Sequence, residues 1–201
     1  MTAVSKAPSR TLIHIPIAHS REDMGSLGHS LPADEAYRQR VAVFWSEVAQ
    51  RVKALGLPWT KVHIYQDGLP NADDQILRKI LSEVNSPNYE LLRWLVAQGA
   101  TLVGTESPDL LKEEFAHVQA VLTATSAAAR GRARRAYARR AANLLAARDG
   151  YIAGRIAATL PAGGIGLLFL GRAHRVAEHV PRDIGLRTLS LSGDRSSATP
   201  A

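Results

Sequence analysis

Four apolar runs in the chain each give way, within a few residues, to an imidazole or a carboxylate. "TLIHIPI" leads into "AHSRED" with His19, Glu22 and Asp23, and "KVHIY" into "QDGLP" with Asp67. "TLVG" leads into "TES" with Glu106, and "IGLLFLG" into "GRAH" with His174. Two histidines and two or three carboxylates, brought together, make a nitrogen- and oxygen-rich site. Such a donor set suits zinc, manganese or another divalent ion, with His19, Asp67, Glu106 and His174 as ligands, or general acid/base work without metal. A neutral imidazole at His19 or His174 takes a proton from water or holds an ion that lowers the water's pKa. The chain has no cysteine, which excludes thiolate chemistry, thiolate-bound zinc and a disulfide framework. Each position also has a plain structural reading: Asp67 before Gly68 as a turn residue, Ser107 before Pro108 as a helix cap.

What would bring these residues together is a parallel sheet. The four runs are short and rich in β-branched or aliphatic residues, and read as strands; "GLRTLSL" (185–191) reads as a fifth. Helical patterns separate them. Asp34 caps a helix with apolar positions Val41, Phe44, Trp45, Val48, Val52 and Leu55, ending at Gly56. A second helix covers about 73–84, and a third starts at "SPN" and ends at Gly99. A helical pattern then runs from Ser107-Pro108 to about Leu160. Strands alternating with helices predict a single α/β domain at 11–191, with a largely parallel sheet of about five strands and helices on both faces. In such sheets ligands bind where the strands end, so four chemically equipped exits on one edge are the main functional signal. His14 and His63 lie inside strands and read as structural; His29, His117 and His179 have no such placement. Gly171 is expected to turn the backbone sharply and bring it close to a ligand.

At 201 residues and 46% hydrophobic, the chain can bury one sizeable core. Residues 1–10 and 192–201 are rich in Ser, Ala, Pro and Thr and read as mobile tails. No apolar run reaches the roughly 20 residues that cross a bilayer, and the first residues lack a signal-peptide core, so a soluble cytoplasmic protein is expected. The net charge of +7 has a local origin: seven arginines lie between Arg130 and Arg148 with no acidic residue among them. On a helix at 127–147, Arg132, Arg135 and Arg139 share one face, with Tyr137, Ala141, Leu144 and Leu145 opposite. That face reads either as plain solvated surface or as a site for an anionic partner. Aromatic content of 5% does not suggest a base-stacking platform for single-stranded nucleic acid. Arg148 stands apart. In an unbroken helix it falls on the apolar side, where it needs a carboxylate or a ligand anion; a break at Gly150, with Asp149 capping a new helix, would free it.

"RDGYIAGRIAATL" followed by "GLLFLGRAH" resembles a signature of the erythromycin esterase, ChaN and TraB/TIKI-type superfamily. There an Arg-Asp-x-x-Met-Ala-x-x-Ile-like helix precedes a strand ending in Gly-x-x-His. Arg148, Asp149, Ile152, Ala153 and Ile156 match the helix, and Gly171 and His174 the strand exit. Members often open with Gly-Glu-x-His; here Pro16-Ile17-Ala18-His19 stands, with Ile17 in place of the glutamate. Glu22 and Asp23 flank His19 on its other side, and Asp67 stands where the family tends to have Glu. The resemblance implies an α/β core and a site shared by esterases, metal-dependent peptidases and a haem-binding lipoprotein.

Together these readings lead to an expected hydrolase of the esterase or peptidase type, acting on a small-molecule or peptide substrate. His19 and His174 are its bases or ligands, Asp67 and Glu106 its ligands or orienting groups, and Arg148 stabilises a developing oxyanion. Two alternatives stay open: a non-catalytic small-ligand or haem-binding protein, and a regulatory or nucleic-acid-binding protein working through the arginine helix. Ala- and Leu-rich helices such as 141–147 pack within one chain or between copies in a homo-oligomer.

Overall fold

The computed structural model describes residues 9–23 and 34–191. Its centre is a five-stranded, all-parallel sheet in the order β3-β2-β4-β1-β5, formed by β1 (Arg10–Pro16), β2 (Val62–Gln66), β3 (Thr101–Val103), β4 (Ile165–Leu170) and β5 (Ile184–Thr188). The helices are α1 (Glu35–Lys53), α2 (Asp74–Glu83), α3 (Pro87–Ala97), α4 (Pro108–Leu122) and α5 (Ala127–Thr159). Connections out of β1 and β2 run toward the β3 edge, and those out of β3 and β4 run back toward β5. The chain thus reverses direction beside β2, β4 and β1, the position at which open α/β sheets leave a crevice for ligands.

Two hydrophobic layers sandwich the sheet. On one face Ile13, Ile15, Ile64, Leu167 and Phe169 pack against α1, α2 and α3 through Trp45, Val48, Leu81, Leu92 and Leu95. On the other, Leu12, Tyr65, Leu168 and Leu170 pack against Ile152, Ala153 and Ile156 of α5. Four helices start where polar side chains accept the first free amides: Asp34 from Tyr37, Asp73 from Ile76, Ser86 from Tyr89 and Ser107 from Leu110. No described helix is long and apolar enough to cross a membrane.

Two expectations need correction. The helical pattern after Ser107 is two helices, not one: the chain turns at Thr123–Ser126, and the Ser126 hydroxyl accepts from Ala129 N at 3.1 Å to start α5. Short hydroxyl side chains cap and turn more readily than they extend a helix. Arg10 belongs to β1 rather than to a tail, and its guanidinium ties Asp183 (2.8 Å) to the carbonyls of Ala157 and Leu160. Residues 1–8, 192–201 and His29 lie outside the described residues. Of the two readings of α5, the unbroken helix holds: it runs for 33 residues and carries Arg148 on its buried side.

The β3 exit is fixed by a close backbone approach. A Cβ on Gly104 would meet Asn71 Cα and the Pro70 carbonyl oxygen, both at 2.7 Å, and backbone atoms cannot swing aside. Gly104→Ala is therefore expected to cost about 1–3 kcal/mol in urea denaturation, the usual range for overpacking. Unchanged stability would show that this approach is not tight.

Candidate functional site

Each predicted strand exit reaches the same edge. Asp67 N extends the β2–β4 ladder by donating to Phe169 O at 2.9 Å, which places the Asp67 carboxylate between β2 and β4. Glu106 follows β3, where a short parallel bridge pairs it with Pro70 and its amide donates to Leu69 O at 2.9 Å. His174 closes a turn after β4, its amide donating to Gly171 O at 3.2 Å. Helix α1 holds the β1 exit: Trp45 Nε1 donates to Ala18 O at 2.9 Å and Tyr37 OH to His19 O at 2.7 Å.

Arg148 is the hub. Its Nε donates to Glu106 Oε2 at 2.9 Å, its Nη2 to Asp67 Oδ1 at 2.8 Å and also to Glu106 Oε1, and its Nη1 to Glu114 Oε2. Its side chain is only 8% exposed. All three guanidinium nitrogens therefore face carboxylates, which makes Arg148 a buried counter-ion. The burial predicted from helix phase holds, and carboxylates fill the partner role.

Burial pushes the Asp67 carboxyl up, but the Arg148 guanidinium, and then His174 and His19, outweigh it and hold the group below its ordinary range. Glu106 goes the other way. Burial raises it, with Asp67 adding to the effect, and Arg148 does not fully compensate. For Asp67 the linkage sign is clear: a carboxyl lowered by folding stabilises the protein above the unfolded-state value of 3.8, and that contribution is lost as pH falls through the folded-state value. The stability difference between wild type and Asp67→Asn, from urea melts, should thus be smaller at about pH 3 than at about pH 6. A difference that widens in acid would contradict this assignment.

A second ion pair adjoins the first. His174 Nδ1 lies 2.5 Å from Asp149 Oδ1, and Arg175 N donates to Asp149 Oδ2 at 2.8 Å. An ionised carboxylate only accepts, so in the neutral imidazole the proton belongs on Nδ1 and the lone pair on Nε2. That Nε2 faces Asp67 Oδ2 at 3.8 Å, and His19 Nε2 faces the same oxygen at 3.9 Å. Both separations exceed a direct hydrogen bond and suit a bridging water. Gly171 N also donates to Asp67 Oδ2, at 3.3 Å. Gly171 does not adopt a left-handed conformation, and its amide anchors the carboxylate.

Asp67, Glu106, Arg148 and His174 are thus joined in one network, with His19 at its half-exposed rim. Two members were missed in the sequence. Asp149 carries a signal, its place beside Arg148 in the matched pair, with a helix cap at a break near Gly150 as the other reading. Adjacent helical residues point about 100° apart, and this lets one turn serve both Asp67 and His174. Glu114 gave no signal, being one of several acidic residues on an otherwise exposed helix. Beyond His19, Asp23 closes a turn on Ser20 (3.0 and 3.2 Å), and Ile17 packs on the core where the family glutamate would stand. His14 is structural: its Nε2 bonds Leu170 O at 3.1 Å and burial pushes its pKa down.

A hollow of about 330 Å³ opens on the β1 exit, lined by Ser20, Arg21, Glu22, Tyr37 and Asn85, among others. His19, Asp67 and His174 are not among the residues that line it. Among the described residues no group of three or more His, Asp or Glu is placed to hold a metal ion. Glu106 is committed to Arg148 and accepts from Gly68 N at 3.2 Å.

Fold and site together define an open α/β protein with a buried arginine–carboxylate–histidine network at its strand edge. No family model matches the chain, and no curated protein or solved structure matches it either. The superfamily resemblance therefore rests on the residues quoted for it.

Proposed function

We propose that the chain is a hydrolase of ester or peptide bonds that uses His174 as general base. The carrying observation is the 2.5 Å contact between His174 Nδ1 and buried Asp149, which presents Nε2 toward Asp67 and His19. In this reading Nε2 takes a proton from a water held against Asp67 Oδ2, and the oxygen attacks the substrate carbonyl. His19, on the accessible side, gives a proton to the leaving oxygen or nitrogen. Asp67 keeps both imidazoles in place and balances the charge that forms on them. Arg148 holds Asp67 rigid from behind. General base catalysis of this kind is worth about 10²–10⁴-fold.

The test is turnover of activated esters and peptide amides by wild type and His174→Ala. The expected result is a fall in kcat/KM of about 10²–10⁴-fold, with wild-type turnover surviving exhaustive chelation. Inert wild-type protein, or an unaffected variant, would overturn the reading. Loss on chelation, restored by zinc or manganese, would replace the metal-free mechanism by an ion held between His19, Asp67 and His174.

A further inference from the structure

The arginine-rich half of α5 belongs to no part of the site. The first buried residue of α5 is Leu144, and α4, its packing partner, has none. The two helices therefore project from the sheet as a hairpin arm. Two arginines of the arm are engaged locally: Arg140 with Glu113 at 2.5 Å, and Arg130 with Ala124 O at 3.3 Å. Arg132, Arg134, Arg135 and Arg139 are exposed and have no carboxylate partner among the described residues. Six arginines between Arg130 and Arg140, set against Asp109, Lys112, Glu113 and Glu114 of α4, leave the arm with a formal charge of +4, more than half of the protein's +7.

We propose that this arm docks on the phosphate backbone of duplex nucleic acid. Arg132, Arg135 and Arg139 follow one stripe of the helix, about 10 Å long at 1.5 Å per residue. A duplex presents roughly one negative charge per 1.7 Å of axis, so the stripe spans several phosphates. Arginine's planar fork suits phosphate oxygens, and a helix about 10–12 Å wide fits the major groove of a duplex. The positions between the arginines, Gly131, Ala133, Ala136, Tyr137 and Ala138, are mostly small, which lets the helix approach closely. The exposed part of 127–147 offers no large apolar side chain to insert into a membrane; the arm's exposed Phe115 and Leu122 lie on α4. A single strand needs stacking aromatics. Tyr137 is the segment's one aromatic; its ring stacks on His117 and its hydroxyl donates to Glu114 at 3.0 Å, so it is not free to stack on a base.

The experiment is fluorescence anisotropy of the full chain with a labelled mixed-sequence DNA duplex, a single strand of the same length, and phosphatidylserine vesicles as competitor. Three neutralised phosphates give a slope of about −2.7 in log K against log salt, or about a 40-fold loss of affinity between about 50 and 200 mM. The variant R132Q/R135Q/R139Q should keep wild-type helicity and melting temperature, bind at least about tenfold more weakly and lose most of that slope. The proposal is overturned if the wild type does not bind the duplex, if binding is insensitive to salt, or if the variant binds equally well. Tighter binding to the single strand, or displacement by the vesicles at lower charge concentration, overturns it too. None of these outcomes depends on the hydrolase reading.

Discussion

Replacing Arg148 with leucine is expected to lower stability by about 3–5 kcal/mol, the usual cost of removing one partner from a buried ion pair. The change leaves Asp67 and Glu106, at 7% and 0% side-chain exposure, facing each other and the Glu114 carboxylate with no guanidinium between them. For a domain of this size the melting temperature should fall by roughly 6–20 °C. Arg148→Lys keeps the charge but not the fork. One ammonium cannot reproduce the paired contact with Glu106 while also reaching Asp67 and Glu114, so an intermediate loss is expected. A double variant, Arg148→Leu with Glu106→Leu, should be less destabilised than the sum of its single changes, because it also removes the carboxylate left stranded. Thermal and urea melts check all three. A loss below about 1 kcal/mol for Arg148→Leu would mean the network is solvated and the hub weak.

Asp149→Asn is expected to lower kcat by about 10³–10⁴-fold with KM nearly unchanged, as the matching change does in Asp–His–nucleophile triads. Arg175 N already donates to one oxygen of Asp149 at 2.8 Å, so an asparagine would turn its carbonyl toward that amide. Its NH₂ group would then face His174 Nδ1, which must accept, and the imidazole proton would move to Nε2. The side chain would keep its place but lose its lone pair toward the substrate. Steady-state kinetics on any substrate found to turn over gives the answer, and an equal loss in KM and kcat would point to a binding role for Asp149 instead.

The sequence showed the strand exits clearly because each apolar run is short and stops at a polar residue. A parallel sheet turns four such stops into one edge. Helix phase placed Arg148 on the buried side before any partner was known. What it could not show was which carboxylates would meet it, since Glu114 comes from a different helix and the pairing depends on how α4 folds back. That fold-back was hidden too: the alanine- and leucine-rich pattern continues on both sides of Thr123–Ser126, and a hydroxyl cap is a weak signal beside it. Asp149 was visible, with two readings open. An acidic residue before a glycine fits a cap as well as a histidine partner, and only the unbroken α5 decides between them.

The most direct measurement is the tautomer of His174 in the ¹⁵N-labelled protein, read from two-bond proton–nitrogen correlations with the imidazole neutral. The expected result is a proton on Nδ1, hydrogen-bonded to Asp149, and an Nε2 shift typical of an unprotonated nitrogen, with the order reversed in Asp149→Asn. A proton on Nε2 in the wild type would contradict the proposed general base.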